Sequence, residues 1–528
     1  MDTSKQFPVS LVDKTKPMMV RRQFLQAMTI TTTGLHLKGI PVVHSASIAT
    51  PIPFEEYSKF DAVGLARLVR RRKVSPVELL RTALHRIDSV NPKLNAIVAA
   101  MAEHAERSIS QGLPAGPLRG VPFLVKDISF SMRGIESSLG SKLFQGRVAN
   151  ADSTAISRYR RAGLVLFART QVPELGLLPT TESTFGGITR NPYDLERTAG
   201  GSSGGSACAV AAGIAPIASA SDGGGSIRIP ASCCGLFGLK PTRARTPIGP
   251  KDFESWGGLA VLHAITRSVR DSAALLDVAA GSAIGDSYHA PHHSGRFQRE
   301  IMRRPRQLRI AIVQSMPPAG RLDPQCQRAV VNAGELCESL GHEVEDKTVE
   351  FASRFDFGRL REAHGVTVVV AVWQRVKERL AELQRDLRDD DLEAVTRYYY
   401  EIANEYTATQ LNDARSAFQR AARQMAKFQE NYDLILTPTL ATLPVKHGQI
   451  TMTRSPESVV QGLLEFCPCS AMANWTGQPA MSVPLYETEK HLPVGVQFMG
   501  RFGDEATLLQ LAAQLEQSQP WAHRRPVL

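Results

Sequence analysis

Val121-Pro122-Phe123-Leu124-Val125, running straight into Lys126-Asp127, is the stretch that decides the fold. Five consecutive apolar residues with no alternating polar position describe a short strand buried on both faces, as in sheets covered by helices on either side. Residues 164–167, 308–313, 434–436 and 494–498 repeat the pattern, and helical patterns separate them. Ser75-Pro76-Val77-Glu78 is a capping box with proline at the first helical position, and Leu79, Leu80, Ala83, Leu84 and Ile87 follow as one apolar stripe. Strands alternating with helices predict an α/β fold with a twisted mixed β-sheet core covered by helices on both faces. A length of 528 residues would allow about three domains. No linker divides the chain, so a single large domain over residues 55–525 is expected. Within it, residues 355–430 carry periodic apolar positions and no strand signal, and are expected to form a helical insertion with Asp389-Asp390-Asp391 as a solvated turn.

Composition narrows the function classes. With 43% apolar and 21% charged residues the chain can bury a large core, which excludes wholesale disorder. The net charge of +11 is a weak nucleic-acid signal, because residues 1–50 hold six Lys/Arg and two Asp/Glu and the rest is diluted over the remaining length. The basic clusters at residues 70–73 and 303–306 lack interleaved aromatics, so no nucleic-acid partner is expected. No charge-free apolar run reaches the ~18 residues of a membrane span. Seven cysteines are too few and too irregular for a disulfide framework in a chain this long. Cys467-Pro-Cys469 and the histidines of residues 289–293 offer no second ligand pair at zinc spacing, and no metal site is expected. Near the N-terminus, Arg21-Arg22-Gln23-Phe24-Leu25 resembles a twin-arginine export motif, followed by a weakly apolar stretch over residues 27–37 and Ser47-Ile48-Ala49 as a small-residue cleavage site. Residues 1–50 are therefore expected to be a twin-arginine signal peptide directing a folded protein to the periplasm. The alternative is a basic leader on a cytoplasmic protein. A homodimer is the default expectation for a soluble enzyme.

The chemistry concentrates in two Gly/Ser loops, Gly200-Gly201-Ser202-Ser203-Gly204-Gly205-Ser206 and Ser221-Asp222-Gly223-Gly224-Gly225-Ser226-Ile227-Arg228. Such loops let backbone approach a ligand closely and turn several N–H groups toward it. Neither the lysine-closed phosphate loop nor the dinucleotide pattern GxGxxG is present. Residues 200–204 satisfy the GxSxG of a nucleophile elbow, but residues 193–198 read YDLERT, polar and turn-like, where that elbow needs a buried strand. The His-Gly pairs at His364 and His447 lie downstream, not upstream as its oxyanion segment requires. A third mechanism uses both loops: Ser226 as nucleophile, with the N–H groups of Gly223, Gly224, Gly225 and Ser226 as an oxyanion hole. No histidine lies near either loop, so Lys126, at the end of a buried strand, is the candidate base. A lysine at its free pKa of about 10.4 would be protonated, so burial or a cationic field must lower it. Ser202 can then relay the proton between Lys126 and Ser226.

At these residues the sequence resembles the amidase signature family. The matching segments are VPFLVKD (121–127), FGGITRNPYDLERTAGGSSGGS (185–206), SDGGGSIRIPAS (221–232) and GLFGLKPTR (235–243), with weaker matches at YDLILTPT (432–439), NWTGQPAMSVP (474–484) and LPVGVQ (492–497). They occur in the family's order and cover about residues 55–525. The resemblance implies an amidase-signature domain with a Ser-Ser-Lys triad: Ser226 as acylated nucleophile, Ser202 as bridging serine after a cis peptide, and Lys126 as general base and later acid. It implies no metal or organic cofactor and a small-molecule amide as substrate. Ser203 is expected to bond loop backbone, and Asp222 with Arg228 to form a buried ion pair holding the oxyanion loop. Two departures, Ser221 where the family more often has threonine and the second cysteine of Cys233-Cys234, are expected to affect local packing and not the triad. Substrate choice is assigned to residues 249–262, the helical insertion and residues 467–475. RIPASCCGLFGLKPTR (228–243) and LLQLAAQLEQSQPWAHRRP (508–526) are similar to the branch of 6-aminohexanoate-cyclic-dimer hydrolases. Two other functions would fit the same fold: a glutamine-amidase subunit of a tRNA-dependent amidotransferase, and a non-catalytic binding protein.

Overall fold

A computed structural model describes residues 50–317, 320 and 322–528, so the twin-arginine motif and the proposed cleavage site lie outside the described residues. The apolar runs become strands of one 11-stranded sheet. In chain order these are β1 (Ile97–Ala100), β2 (Pro122–Lys126), β3 (Val165–Thr170), β4 (Ile217–Asp222), β5 (Phe237–Lys240), β6 (Val261–Thr266), β7 (Arg309–Ile312), β8 (Glu343–Asp346), β9 (Leu434–Pro438), β10 (Ala480–Glu487) and β11 (Pro493–Gly500). Their spatial order is β1-β3-β2-β4-β6-β5-β10-β11-β9-β7-β8. β2 runs parallel to β3 and β4, and β7 parallel to β8 and β9, while the pairs from β4 through β6, β5, β10 and β11 to β9 are antiparallel. The expected mixed sheet is thus observed.

Both faces of β2 are covered, which is why its sequence does not alternate. Phe123 and Val125 enter a cluster with Leu65, Tyr159 and Leu275, whereas Leu124 packs with Leu80, Ala209 and Val210. The helix Pro76–Leu94 starts where its signals place it: Ser75 Oγ accepts from Glu78 N at 3.2 Å, and Glu78 Oε2 accepts from Ser75 N at 2.7 Å. Leu79, Leu80, Ala83 and Ile87 of its stripe are buried. No helix among the described residues is long and apolar enough to cross a membrane.

Residues 355–430 contain the helices Phe357–Leu383, Ala394–Ile402 and Ala408–Phe428. One detail differs from expectation. Asp391 is 3% exposed and is not part of a solvated turn. It accepts from Arg385 Nη1 at 2.6 Å, from Arg385 Nη2 at 2.9 Å and from Arg388 N at 2.8 Å, so the turn is clamped by charge-assisted bonds. A second difference concerns residues 193–198. Asp194–Thr198 is a strand, paired in a ribbon with Arg190–Asn191, but Leu195 and Glu196 are exposed, so no buried strand leads into Ser202.

The sheet positions the site through one pairing. β2 and β4 run parallel with Leu124 opposite Ala218, so Lys126 at the end of β2 comes beside Ser221 and Asp222 at the end of β4. The first Gly/Ser loop enters from the side and continues as the wholly buried helix Gly204–Ala211. Glycine is required there by contact: a Cβ on Gly205 would lie 2.3 Å from the backbone nitrogen of Gln171.

If β2 is packed on both faces, Phe123→Ala empties a fully buried volume. Urea unfolding is expected to report a loss of about 3–5 kcal/mol; a loss under ~1 kcal/mol would contradict that packing.

Candidate active site

Lys126 is fully buried. Its backbone N–H donates to Ser219 Oγ at 2.8 Å, which fixes the strand end. Its Nζ lies 2.8 Å from Ser202 Oγ, 3.0 Å from Ser221 Oγ and 3.4 Å from the Ser221 carbonyl oxygen. Removal from water disfavours the ammonium and lowers the pKa to about 7, with Asp222 pulling weakly the other way. The amine therefore titrates near neutrality while in contact with two hydroxyls.

Ser202 follows a cis Gly201–Ser202 peptide and is 3% exposed. Gly176 leaves room for it: a Cβ there, at φ +71°, would stand 3.3 Å from Ser202 Oγ. Ser203 Oγ donates to the Ser221 carbonyl at 3.4 Å, the loop-backbone bond anticipated for it. The expectation for Ser221 is overturned. Its hydroxyl touches Lys126 Nζ directly, so the residue that stands in place of threonine belongs to the lysine's immediate surroundings.

The second loop turns around a buried carboxylate. Arg228 Nη2 and Nε donate to Asp222 Oδ1 and Oδ2 at 2.8 and 3.0 Å, and both side chains are fully buried. Burial alone would raise the Asp222 pKa, but the Arg228 guanidinium, joined by the Lys240 charge and the Asn474 bond, holds the carboxyl far below its usual range. Asn474 Nδ2 adds a bond to Asp222 Oδ1 at 2.9 Å, and Arg228 in turn donates to Ser470 O at 2.6 Å and Asn474 Oδ1 at 2.7 Å. Asp222 also accepts from Gly225 N at 2.8 Å and Ile227 N at 3.1 Å. Gly225 therefore departs from its expected role, since its N–H is committed to the carboxylate and not turned to a substrate oxygen. Among the described residues the N–H groups of Gly223, Gly224 and Ser226 meet no acceptor.

Gly224 and Ser226 line a cavity of about 550 Å³. Ser226 is half-buried, and its hydroxyl makes no hydrogen bond with any described residue, so the link from Ser202 to Ser226 is not closed at hydrogen-bond distance. The walls come from the three segments assigned to substrate choice, through Trp256, His364, Val368, Tyr399 and Trp475, and also from segments that were not anticipated, among them residues 176–179 and the helix Pro456–Phe466. Asn474 and Ser470 were also missed as supports of the loop. NWTGQP is a visible motif, but nothing in it tells that its asparagine reaches a carboxylate 252 residues away.

Comparison with known proteins assigns the family and, with it, a hydrolase acting on C–N bonds. The Amidase family profile matches residues 78–509, and the chain belongs to the amidase signature family. The 6-aminohexanoate-cyclic-dimer hydrolase of Paenarthrobacter ureafaciens is 35% identical over 480 residues, covering 89% of this chain and 96% of that protein. The solved structure of a 6-aminohexanoate cyclic dimer hydrolase matches with a TM-score of 0.83 at 34% identity, over 89% of this chain and 99% of that one. A bacterial aryl acylamidase of the family matches with a TM-score of 0.78 at 26% identity, over 88% and 97% of the two chains.

Removing Arg228 would strand a buried carboxylate. Arg228→Met is expected to cost about 3–5 kcal/mol in denaturant unfolding. A variant as stable as the parent would mean that the pair does not hold the loop.

Proposed function

We propose that the chain hydrolyses a carboxylic amide through an acyl-enzyme on Ser226, with Lys126 acting as general base through Ser202. The observation that carries this reading is the buried Lys126 amine, 2.8 Å from Ser202 Oγ and brought by burial to a pKa of about 7. In the neutral form Nζ takes the Ser202 proton as Ser202 takes that of Ser226, and Ser226 Oγ attacks the amide carbonyl carbon. The oxyanion receives hydrogen bonds from the free N–H groups of Gly223, Gly224 and Ser226. As the tetrahedral intermediate collapses, the C–N bond breaks and the proton held by Lys126 returns through Ser202 to the leaving nitrogen. Water, deprotonated by the same pair, then attacks the ester and releases the carboxylic acid. Closing the Ser202–Ser226 link accompanies substrate binding, as catalytic hydrogen bonds often tighten only in the complex.

For the substrate we infer 6-aminohexanoate-type amides, cyclic or linear. Two observations support this: the similarity to hydrolases of the cyclic dimer over nearly their whole length, and a wall of Leu178, Val368, Val369, Ile402 and Leu463 suited to polymethylene chains.

A panel containing the cyclic dimer, an aryl-amide, a short primary amide and glutamine tests the reading. The cyclic dimer is expected to be turned over best; Ser226→Ala and Lys126→Ala each lose about 10⁴-fold or more while staying folded. Wild-type turnover by either variant would refute the roles. Because the neutral amine is the base and its fraction grows with pH, kcat/KM is expected to rise through an apparent pKa of about 7 and level off above it. A profile flat from about pH 6 to 8 would contradict this. Ser221→Ala is expected to lower kcat about tenfold and Ser221→Thr to retain it, since threonine keeps the hydroxyl on Nζ. Equal rates in the two variants would remove Ser221 from the account.

A further inference from the structure

His364 is a histidine of the cavity wall that the mechanism above does not use. It sits on the helix Phe357–Leu383 and lines the same cavity as Gly224 and Ser226. Trp475 Nε1 donates to its Nδ1 at 2.9 Å. An indole N–H is a donor only, so Nδ1 must offer its lone pair, and the proton of the neutral ring is fixed on Nε2. Burial keeps the ring neutral at physiological pH by lowering its pKa to about 4. Two indoles hold its plane: the ring packs edge-on against Trp256 at 6.3 Å and 81°, and against Trp475 at 6.2 Å and 72°. Its free edge faces the second Gly/Ser loop, since a Cβ on Gly224 would lie 3.5 Å from His364 Cε1 and 3.9 Å from Nε2. Among the described residues, Nε2 has no hydrogen-bond partner. The ring is thus an oriented, uncharged donor in the cavity wall that Ser226 also lines.

Resting on the function proposed above, we propose that His364 is a substrate-positioning residue whose Nε2–H donates to a carbonyl oxygen of the bound amide other than the scissile one, selecting diamides and cyclic oligoamides over simple monoamides. The scissile oxygen already has the N–H groups of the loop. The imidazole cannot act as base, because one nitrogen is occupied by Trp475 and the other carries the proton. A donor fixed in the wall of a substrate cavity discriminates by what it loses: a substrate with an acceptor at that point satisfies it, and one without leaves it unpaired.

The test compares the cyclic dimer of 6-aminohexanoate, which carries a second ring carbonyl, with hexanamide, which carries only the scissile one. His364→Phe is expected to lower kcat/KM for the cyclic dimer by about tenfold more than for hexanamide, and His364→Gln, which restores an N–H at that reach, to recover part of the difference. An equal loss on both substrates, or none, overturns the proposal. A binding measurement decides independently of turnover and of how the Phe variant folds. In Ser226→Ala protein labelled with ¹⁵N-histidine, the cyclic dimer is expected to shift the Nε2–H proton of His364 downfield, and hexanamide to leave it in place. No shift with the cyclic dimer overturns the assignment of His364. A shift accompanied by no hydrolysis of either substrate in the parent enzyme would instead locate the failure in the proposed function.

Discussion

A lysine amine sealed from water, with a serine hydroxyl on each side, is the constraint around which the rest of the molecule is arranged. Bringing its pKa from 10.5 to about 7 corresponds to a penalty on the ammonium on the order of 5 kcal/mol. That is several times the ~1 kcal/mol net contribution of one hydrogen bond. Burial decides the protonation state, and the Ser202 and Ser221 contacts decide direction. Asp222, the carboxylate whose charge acts on Lys126, would work against this arrangement if it were free. Asp222 is instead saturated by Arg228, Asn474 and two backbone N–H groups, which leaves it only a weak pull on Lys126.

The same ion pair links electrostatics to shape. By collecting the N–H groups of Gly225 and Ile227, Asp222 bends the chain so that Gly224 and Ser226 border the cavity between them. Arg228 ties that bend to Ser470 and Asn474, which adjoin the cavity residues Cys467 and Trp475. The second loop and one wall of the cavity are therefore tied together, through the Arg228 guanidinium and the direct bonds of Ser470 and Asn474 to the loop. The parallel pairing of β2 with β4 supplies the remaining precision, since it delivers lysine and loop from adjacent strand ends with no flexible connection.

Sequence reasoning reached the parts of this that local pattern encodes. β2, β3, β7, β9 and β11 were legible because bulky apolar residues leave a strand signal, and the helix Pro76–Leu94 because its cap and stripe lie within a few residues of each other. β4 was not. Its sequence IASASD is buried throughout yet made mostly of small and polar residues, so it carries little hydrophobic signal. In the site, loop composition and the strand-end lysine pointed to the residues of the two loops. What stayed hidden depends on contacts distant in sequence. Gly225 loses its expected role to a carboxylate that only the folded turn brings back onto its N–H. Ser221 reaches Nζ only because β4 lies beside β2. His364, noticed merely as half of a His-Gly pair, takes its tautomer from a tryptophan 111 residues away.

The central claim, that burial alone makes Lys126 a base, is tested most directly by titrating that side chain. With ¹³C-labelled lysine and Lys126→Arg protein to assign the resonance, the ε-carbon shift followed against pH should show a midpoint at about 7 for Lys126. A midpoint near the ~10.4 of a free lysine would contradict the account, because the amine would then be an ammonium at the pH where the enzyme must work.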